Sequence, residues 1–173
     1  MLKPIAVATL VAGTLDILSA FVFAGMAGAT PGGVLRYVAS GPFGDAVRQG
    51  GADWAAVGLA VHFAIMACMA AAFFLVAKSV PALVRHPIVA GLVYGLILWG
   101  IMYWVVKPLR WPEAPLPNSL YGVANQLFSH CILVGIPIAW IASRYFGARM
   151  TSPLHQPSPK ATAGPPPRPG EDL

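Results

Sequence analysis

The chain of 173 residues is 57% hydrophobic and only 10% charged, with a mean hydropathy of +0.70. Because a typical soluble domain is about one quarter charged, this composition excludes a soluble globular protein and indicates an integral membrane protein with one compact domain. The 11 Lys and Arg residues outnumber the 6 Asp and Glu residues, but they lie at the ends of apolar runs. That distribution is typical of lipid head-group contacts and excludes a nucleic-acid-binding surface.

Four apolar runs are long enough to cross a bilayer, because about 20 helical residues at about 1.5 Å each span the hydrocarbon core. The predicted segments are about 5–27, 54–77, 88–106 and 120–143. The predicted fold class is therefore an all-α membrane protein, a four-helix transmembrane bundle. Residues 1–146 form the transmembrane domain. Residues 147–173, rich in proline and without apolar periodicity, are predicted to be a disordered cytoplasmic tail.

The first segment shares some features with a secretory signal peptide, since Lys3, an apolar run and Ala27-Gly28-Ala29 follow in order. Its apolar run is longer than the usual ~7–15 residues and carries Asp16 at its centre. We therefore expect a retained span. Small residues, Gly13 among them, recur on one helical face, which predicts close packing against a neighbouring helix.

The first loop, from Gly28 to Asp53, is long. Within it, Val34 to Val38 is apolar with one charge and one aromatic ring, which predicts a short helix at the membrane interface. Loops of this length are often functional, so the segment is predicted to be a lid or a partner-binding surface.

Glycine and proline mark the second half of the chain. Gly91-x-x-x-Gly95 predicts a close helix crossing in segment three. The four prolines between Lys107 and Ser119 predict a stiff, non-helical link. Pro137 is predicted to kink segment four, which neighbouring helices can accommodate.

Three ionisable residues, Asp16, His62 and His130, are predicted to lie near the membrane midplane, where ionisable groups face the bundle and find partners. Their predicted polar neighbours are Asn125, Gln126 and Ser129. One interpretation is structural, because polar contacts between membrane helices contribute about 0.6 kcal/mol on average. The other is a pathway or sensor for protons or a small solute, since imidazole titrates near neutral pH and a neighbouring carboxylate can hold its tautomer.

Cofactor binding is a further alternative. His62 and His130 on different helices could ligate haem b, or could bind a metal ion together with Asp16. Copper(I) could instead be bound by imidazole, thioether and thiolate ligands; these candidates are His62, Met66, Met69 and Cys131. Methionine, however, routinely fills gaps in helical cores. No nucleophile, oxyanion hole or complete metal shell is evident, so we expect no catalytic residue and no enzyme.

The layout of residues 58–144 resembles the YagU-like family of small uncharacterised bacterial inner-membrane proteins. The likeness rests on four segments with a histidine in the second and the fourth, His62 and His130, and on Pro108-Leu109 at the end of segment three. Gly91 and Gly95 belong to the same pattern. The resemblance implies location and topology but no reaction, because the family has no established activity.

The basic residues predict the orientation. Placing both termini in the cytoplasm puts seven Lys and Arg residues inside and four outside, in agreement with the positive-inside rule. The expected surroundings are the lipid bilayer of a bacterial inner membrane, with a second copy of the chain or another membrane protein as the expected partner.

Overall fold

The structure, a computed structural model, describes residues 1–114 and 119–150, and these form helices without β-strands. The helices are α1 Leu2–Met26, α2 Pro31–Phe43, α3 Ala52–Ala77, α4 Pro81–Arg85, α5 Pro87–Ile101, α6 Lys107–Arg110, α7 Leu120–Leu127 and α8 Ile136–Met150. The predicted all-α class is confirmed. Helix α8 continues into the first residues of the predicted tail, and the rest of the tail, 151–173, lies outside the described residues.

Four helical spans are long and apolar enough to cross a membrane, which supports a multi-pass membrane protein. Their bounds are Leu2–Met26, Ala52–Ala77, Pro87–Arg110 and Leu120–Ala148. Large apolar side chains cover their outer surface, as in Leu10 and Val22, which are 60% and 61% exposed. Such exposure is expected where the surrounding solvent is lipid.

The third and fourth spans each contain a π-helical segment. Met102–Val106 joins α5 to α6, and Phe128–Gly135 joins α7 to α8. Each segment ends two residues before a proline, Pro108 or Pro137. The non-helical link predicted from Lys107 onward is therefore wrong for its first four residues, because the helix continues to Arg110. A proline near a wider turn costs less, since the missing N–H falls where the α-helical bonding is already interrupted.

The first loop contains a helix, α2, longer than the interfacial helix predicted at 34–38. The hydroxyl of Thr30 caps its start by accepting a hydrogen bond from the Gly33 backbone N–H at 3.1 Å. Gly44, at φ 89°, ends it in a conformation that favours glycine. A 3₁₀ turn, Asp45–Gln49, follows. A Cβ at Gly58 of α3 would overlap the backbone of Leu35, so α2 packs directly on the bundle.

The buried core occupies the end of the bundle that holds the N-terminus. Ala8 and Ala12 of α1 pack there with Phe74 of α3 and Ile138 of α8, and all four are inaccessible to solvent. The small alanines let the helices approach closely. The opposite end, which we call the α2 end, is where the chain leaves α1, passes through α2 and enters α3.

Candidate functional site

A cavity of about 320 Å³ lies beneath α2 in the α2 end of the bundle. This volume is at the lower end of the range of about 300–1,000 Å³ that is typical of small-molecule sites. Four of the predicted polar residues line it, and they come from three different spans: Asp16, His62, Gln126 and His130. Residues far apart in sequence thus converge on one space.

His62 is buried, with 7% of its surface exposed, and is held by the backbone of α1. Its Nε2 lies 2.9 Å from the carbonyl oxygen of Gly13. A carbonyl oxygen can only accept, so Nε2 carries the hydrogen and donates it. The neutral ring therefore keeps its lone pair on Nδ1. The absence of a side chain at Gly13 makes room for this helix crossing, because a Cβ there would lie 2.7 Å from the Phe63 ring.

His130 lies on the π-helical segment of the fourth span and makes a similar bond. Its Nδ1 is 2.9 Å from the carbonyl oxygen of Gln126, one turn earlier. By the same reasoning Nδ1 donates, and the neutral ring keeps its lone pair on Nε2. The ring also packs edge-on against Tyr103 of the third span, with 6.4 Å between the ring centroids.

Asp16 lines the same cavity from α1 and interacts electrostatically with His130 and His62. Within the described residues its carboxylate accepts no hydrogen bond. In the neutral form of each ring, the nitrogen that does not donate to the backbone is an acceptor, as are the Asp16 carboxylate oxygens. An arrangement of this kind needs added protons, water or a ligand with N–H or O–H donors to satisfy it.

The walls of the cavity are mostly apolar and aromatic. Met66, Met69 and Met102 contribute thioether side chains. Tyr37 of α2 also lines the cavity, and its ring is stacked on that of Trp111, which follows α6, at 4.8 Å between centroids. Burial raises the pKa of Tyr37, so its hydroxyl stays protonated at neutral pH.

Lys107 supplies a positive charge to the same space. Its Nζ lies 5.4 Å from the centroid of the Tyr103 ring, a distance suited to a cation–π interaction. Lys107 is only three residues from Arg110, where the third span ends, whereas Asp16 is ten residues from Met26, where α1 ends. At about 1.5 Å per residue, Lys107 is roughly 10 Å closer to the α2 surface than Asp16.

Arg110 attaches α2 to the end of the third span. Its guanidinium donates to the carbonyl oxygens of Ser40, at 2.7 Å, and Gly41, at 2.8 Å. These carbonyls belong to the last turn of α2, where a cation is favourable. The same guanidinium lies 3.3 Å from the carboxylate of Asp45, which also accepts a 3.1 Å hydrogen bond from the indole N–H of Trp111. The indole bond, followed by the Arg110 charge, lowers the pKa of Asp45.

Two residues of the predicted polar cluster lie outside the lining of this cavity. Ser129 is buried and shares a 3.1 Å hydrogen bond with Ser19 of α1, so it joins two spans. The Oδ1 atom of Asn125 is buried and has no hydrogen-bond partner among the described residues. These two side chains belong to helix packing around the site.

The glycines of segment three lie against the fourth span. A Cβ at Gly91 would be 2.6 Å from the Cα of Ile136, and one at Gly95 would be 2.7 Å from the carbonyl carbon of His130. Gly135, on the opposing helix, meets the Gly91 backbone in the same way. The helix crossing thus sets the position of the His130 backbone.

The metal candidates divide between the cavity and its surroundings. Met66 and Met69 line the cavity with His62 and His130, but Cys131 lines a separate apolar groove on the outer surface. Across 1–114 and 119–150, no group of three or more His, Cys, Asp or Glu side chains is placed to hold a metal ion. Two histidine ligands suffice for haem b, so that alternative stays a prediction.

Several cavity residues were not predicted from the sequence as functional. They are Tyr103, Lys107 and Trp111, whereas Tyr37 belongs to the first-loop segment predicted to be a lid or a partner-binding surface. The sequence signal is the group of aromatic and basic residues at the end of segment three. Only the basic residues have a predicted role, in lipid head-group contacts.

Comparisons with known proteins find no match to this chain: no family model matches it, and neither a curated protein nor a solved structure does so.

Proposed function

We propose that this membrane protein supports the movement or sensing of protons or a small solute through the cavity beneath α2. The convergence of Asp16, His62 and His130 in one cavity is the observation that carries the proposal. Imidazole titrates near neutral pH, and each ring has one nitrogen free of the backbone bond that fixes its tautomer. These are the properties required of groups that bind and release protons inside a membrane.

The shape of the cavity supports a carrier or a sensor over an open pore. Its lining includes α2 at one end of the bundle, while the opposite end is filled by the core around Phe74 and Ile138. A solute or proton that enters from the α2 end therefore meets a closed core. Passage to the other side requires the helices to rearrange, as in carriers that alternate between two openings.

Proton flux in proteoliposomes tests the proposal. The full chain is reconstituted in vesicles that contain a pH-sensitive dye, and the rate of internal pH change is measured after an external pH step. We expect wild-type vesicles to exceed empty vesicles, and His62→Phe, His130→Phe and Asp16→Asn to reduce the rate. The matched control is His86→Phe, because His86 is exposed and lies outside the cavity lining.

The outcomes separate function from structure. Variants that fold, insert and lose flux support the proposal. Loss of folded protein in the cavity variants, with no flux in wild-type vesicles, supports the structural interpretation of the polar cluster.

A haem- or metal-binding subunit is the second candidate, and one observation favours it. Each histidine donates one N–H to a backbone carbonyl and keeps the other nitrogen as a potential ligand, as metal-ligating histidines do. The absorption spectrum of the purified protein tests this candidate. A Soret band that disappears in His62→Phe supports haem, and a spectrum without one eliminates it.

We infer a bacterial inner-membrane location with both termini in the cytoplasm. Up to Arg144 in the sequence, the two ends of the bundle carry four basic residues each. Those at the N-terminal end are Lys3, Lys78, Arg85 and Arg144, and those at the α2 end are Arg36, Arg48, Lys107 and Arg110. Arg149, Lys160 and Arg168 follow Arg144 in the sequence and favour the N-terminal end as cytoplasmic. Topology reporters fused after Met150 test this orientation, and membership of the YagU-like family stays a prediction.

A further inference from the structure

We propose that the cavity binds a small primary monoamine with an apolar body, whose ammonium group lies among Asp16, His62 and His130. This inference rests on the proposed function, because it assigns a chemical class to the solute of the same cavity.

The hydrogen-bonding groups of the three side chains match a primary ammonium. In its neutral form, each imidazole uses its one N–H on a backbone carbonyl, of Gly13 or Gln126, and keeps one lone pair for another partner. Asp16, which lines the same cavity, adds carboxylate oxygens. A primary ammonium has three N–H donors and no acceptor, so it complements three acceptors of this kind. A hydroxyl or a ketone would leave acceptors without donors, which is unfavourable in a buried site.

The carboxylate of Asp16 favours a ligand with a positive charge. An ionised carboxylate within a membrane needs a positive partner, and among the described residues no ion pair within 4.0 Å involves Asp16. A single ammonium provides that partner and also makes charge-assisted hydrogen bonds, which are about twice as strong as neutral ones. The ligand is therefore expected to carry one positive charge at its deep end.

The position of Lys107 limits the ligand to one charge. Lys107 lines the same cavity, and its backbone position is roughly 10 Å nearer the α2 surface than that of Asp16. A diamine with its second charge toward the surface would approach this lysine and be repelled.

The walls define the remainder of the ligand. Met66, Met69 and Met102 are unbranched and polarisable, so they adapt to apolar and aromatic shapes. The Tyr103 ring lies beside His130 and adds an aromatic surface. An arylalkyl amine fits this combination, with its ring against the walls and its ammonium at the acceptors.

Protons are expected to compete with the amine. Protonation of either imidazole replaces a lone pair with an N–H and adds a positive charge, which removes two of the features that bind the ammonium. The titratable side chains that face the cavity are Asp16 from α1, Tyr37 from α2, His62 from α3, Tyr103 and Lys107 from the third span, and His130 from the fourth. Among these residue types, imidazole is the one that ordinarily changes charge between pH 5 and 8, so the competition is expected to involve the two histidines.

Isothermal titration calorimetry of the purified full chain in detergent tests the inference with phenethylamine as the probe. Two comparison probes separate the contribution of the positive charge from that of the N–H donors. Trimethyl(phenethyl)ammonium keeps the charge but has no N–H, and phenethyl alcohol keeps the ring but has no charge. We expect each to bind at least about tenfold more weakly than phenethylamine, since each lacks charge-assisted N–H bonds. We also expect phenethylamine to bind more weakly as the pH falls from 8 to 5.

Equal binding of the three probes, or no binding of phenethylamine, overturns the inference. This comparison is made on the wild-type protein, so it does not depend on the folding of any variant. Asp16→Asn is expected to lose the preference for phenethylamine over the alcohol, whereas His86→Gln keeps it. Proton flux without amine binding refutes only the ligand class, while amine binding without flux refutes proton movement and leaves a solute-binding protein.

Discussion

The contact between Gly95 and His130 gives the sharpest structural prediction. Gly95 lies on α5 where the third span crosses the fourth, and its missing side chain lets the two backbones touch. Gly100, in the same helix, has no atom within 4 Å of the position a Cβ would take. Changing each glycine to alanine therefore adds the same methyl group to the same helix, once at a crossing and once in open space.

The expected magnitude follows from these positions. At Gly95 the added Cβ would lie 2.7 Å from the carbonyl carbon of His130, compared with about 3.4 Å for ordinary contact. Backbone atoms cannot rotate away, so the spans must separate by roughly 1 Å. Overpacking of this kind costs about 1–3 kcal/mol. At Gly100 the added methyl group meets no other atom, and alanine is a better helix former than glycine. We therefore expect Gly100→Ala to raise the free energy of unfolding by less than about 1 kcal/mol.

Unfolding of the two variants in detergent micelles, followed by circular dichroism as denaturant is added, measures both free energies. Proton flux provides a second readout, because displacement of the His130 backbone moves its ring in the cavity. We expect Gly95→Ala to lose stability and flux and Gly100→Ala to keep both. Equal stability of the two variants would refute the close crossing and with it the position assigned to His130.

Three further predictions concern α2 and the interhelical bonds. Arg110→Gln removes the cation that holds the last turn of α2, so hydrogen exchange followed by mass spectrometry should show faster exchange of the α2 backbone amides. The control Arg36→Gln loses one exposed hydrogen bond and should change these exchange rates little. The pKa of Asp45 in the folded protein lies below its ordinary value of 3.8. The ionised carboxylate therefore contributes its full stabilisation of the folded state above pH 3.8, and this contribution is lost as the pH falls through the lower pKa of the folded protein. Near-ultraviolet circular dichroism should therefore report a constant α2 attachment at neutral pH and loosening only in strong acid. Ser19→Ala removes the hydrogen bond to Ser129 and should lower the free energy of unfolding by about 0.6 kcal/mol. A decrease in this free energy of more than about 2 kcal/mol would contradict a simple interhelical hydrogen bond.

The four spans could be predicted from the sequence because their signal is local. Each requires only a long apolar run, and a count of residues within a run also gives the approximate depth of Asp16, His62 and His130. Residues at the same depth on three different helices do not necessarily have side chains that face each other. The convergence in one cavity depends on how the helices are rotated about their axes, which tertiary packing determines.

The partners of these residues could not be predicted for a different reason. His62 bonds to a backbone carbonyl of α1, and every residue of α1 has such a carbonyl, so the sequence does not distinguish Gly13 from its neighbours. Arg110 presents a similar case. A basic residue at the end of a span is typical of membrane topology, yet here the guanidinium caps α2 and approaches Asp45.

The π-helical segments connect these observations. A π turn holds one more residue than an α turn, so it rotates the face of the helix that follows by about 100° relative to an uninterrupted α-helix. Both segments, Met102–Val106 and Phe128–Gly135, contribute residues to the cavity, and both end two residues before a proline. The prolines therefore do more than stiffen or kink the chain: they favour interruption of the α-helical bonding at the two positions where the third and fourth spans meet the cavity. Replacing Pro137 by alanine favours a regular helix through this region, so we expect it to rotate His130 out of the cavity, with a loss of flux but not of helix content.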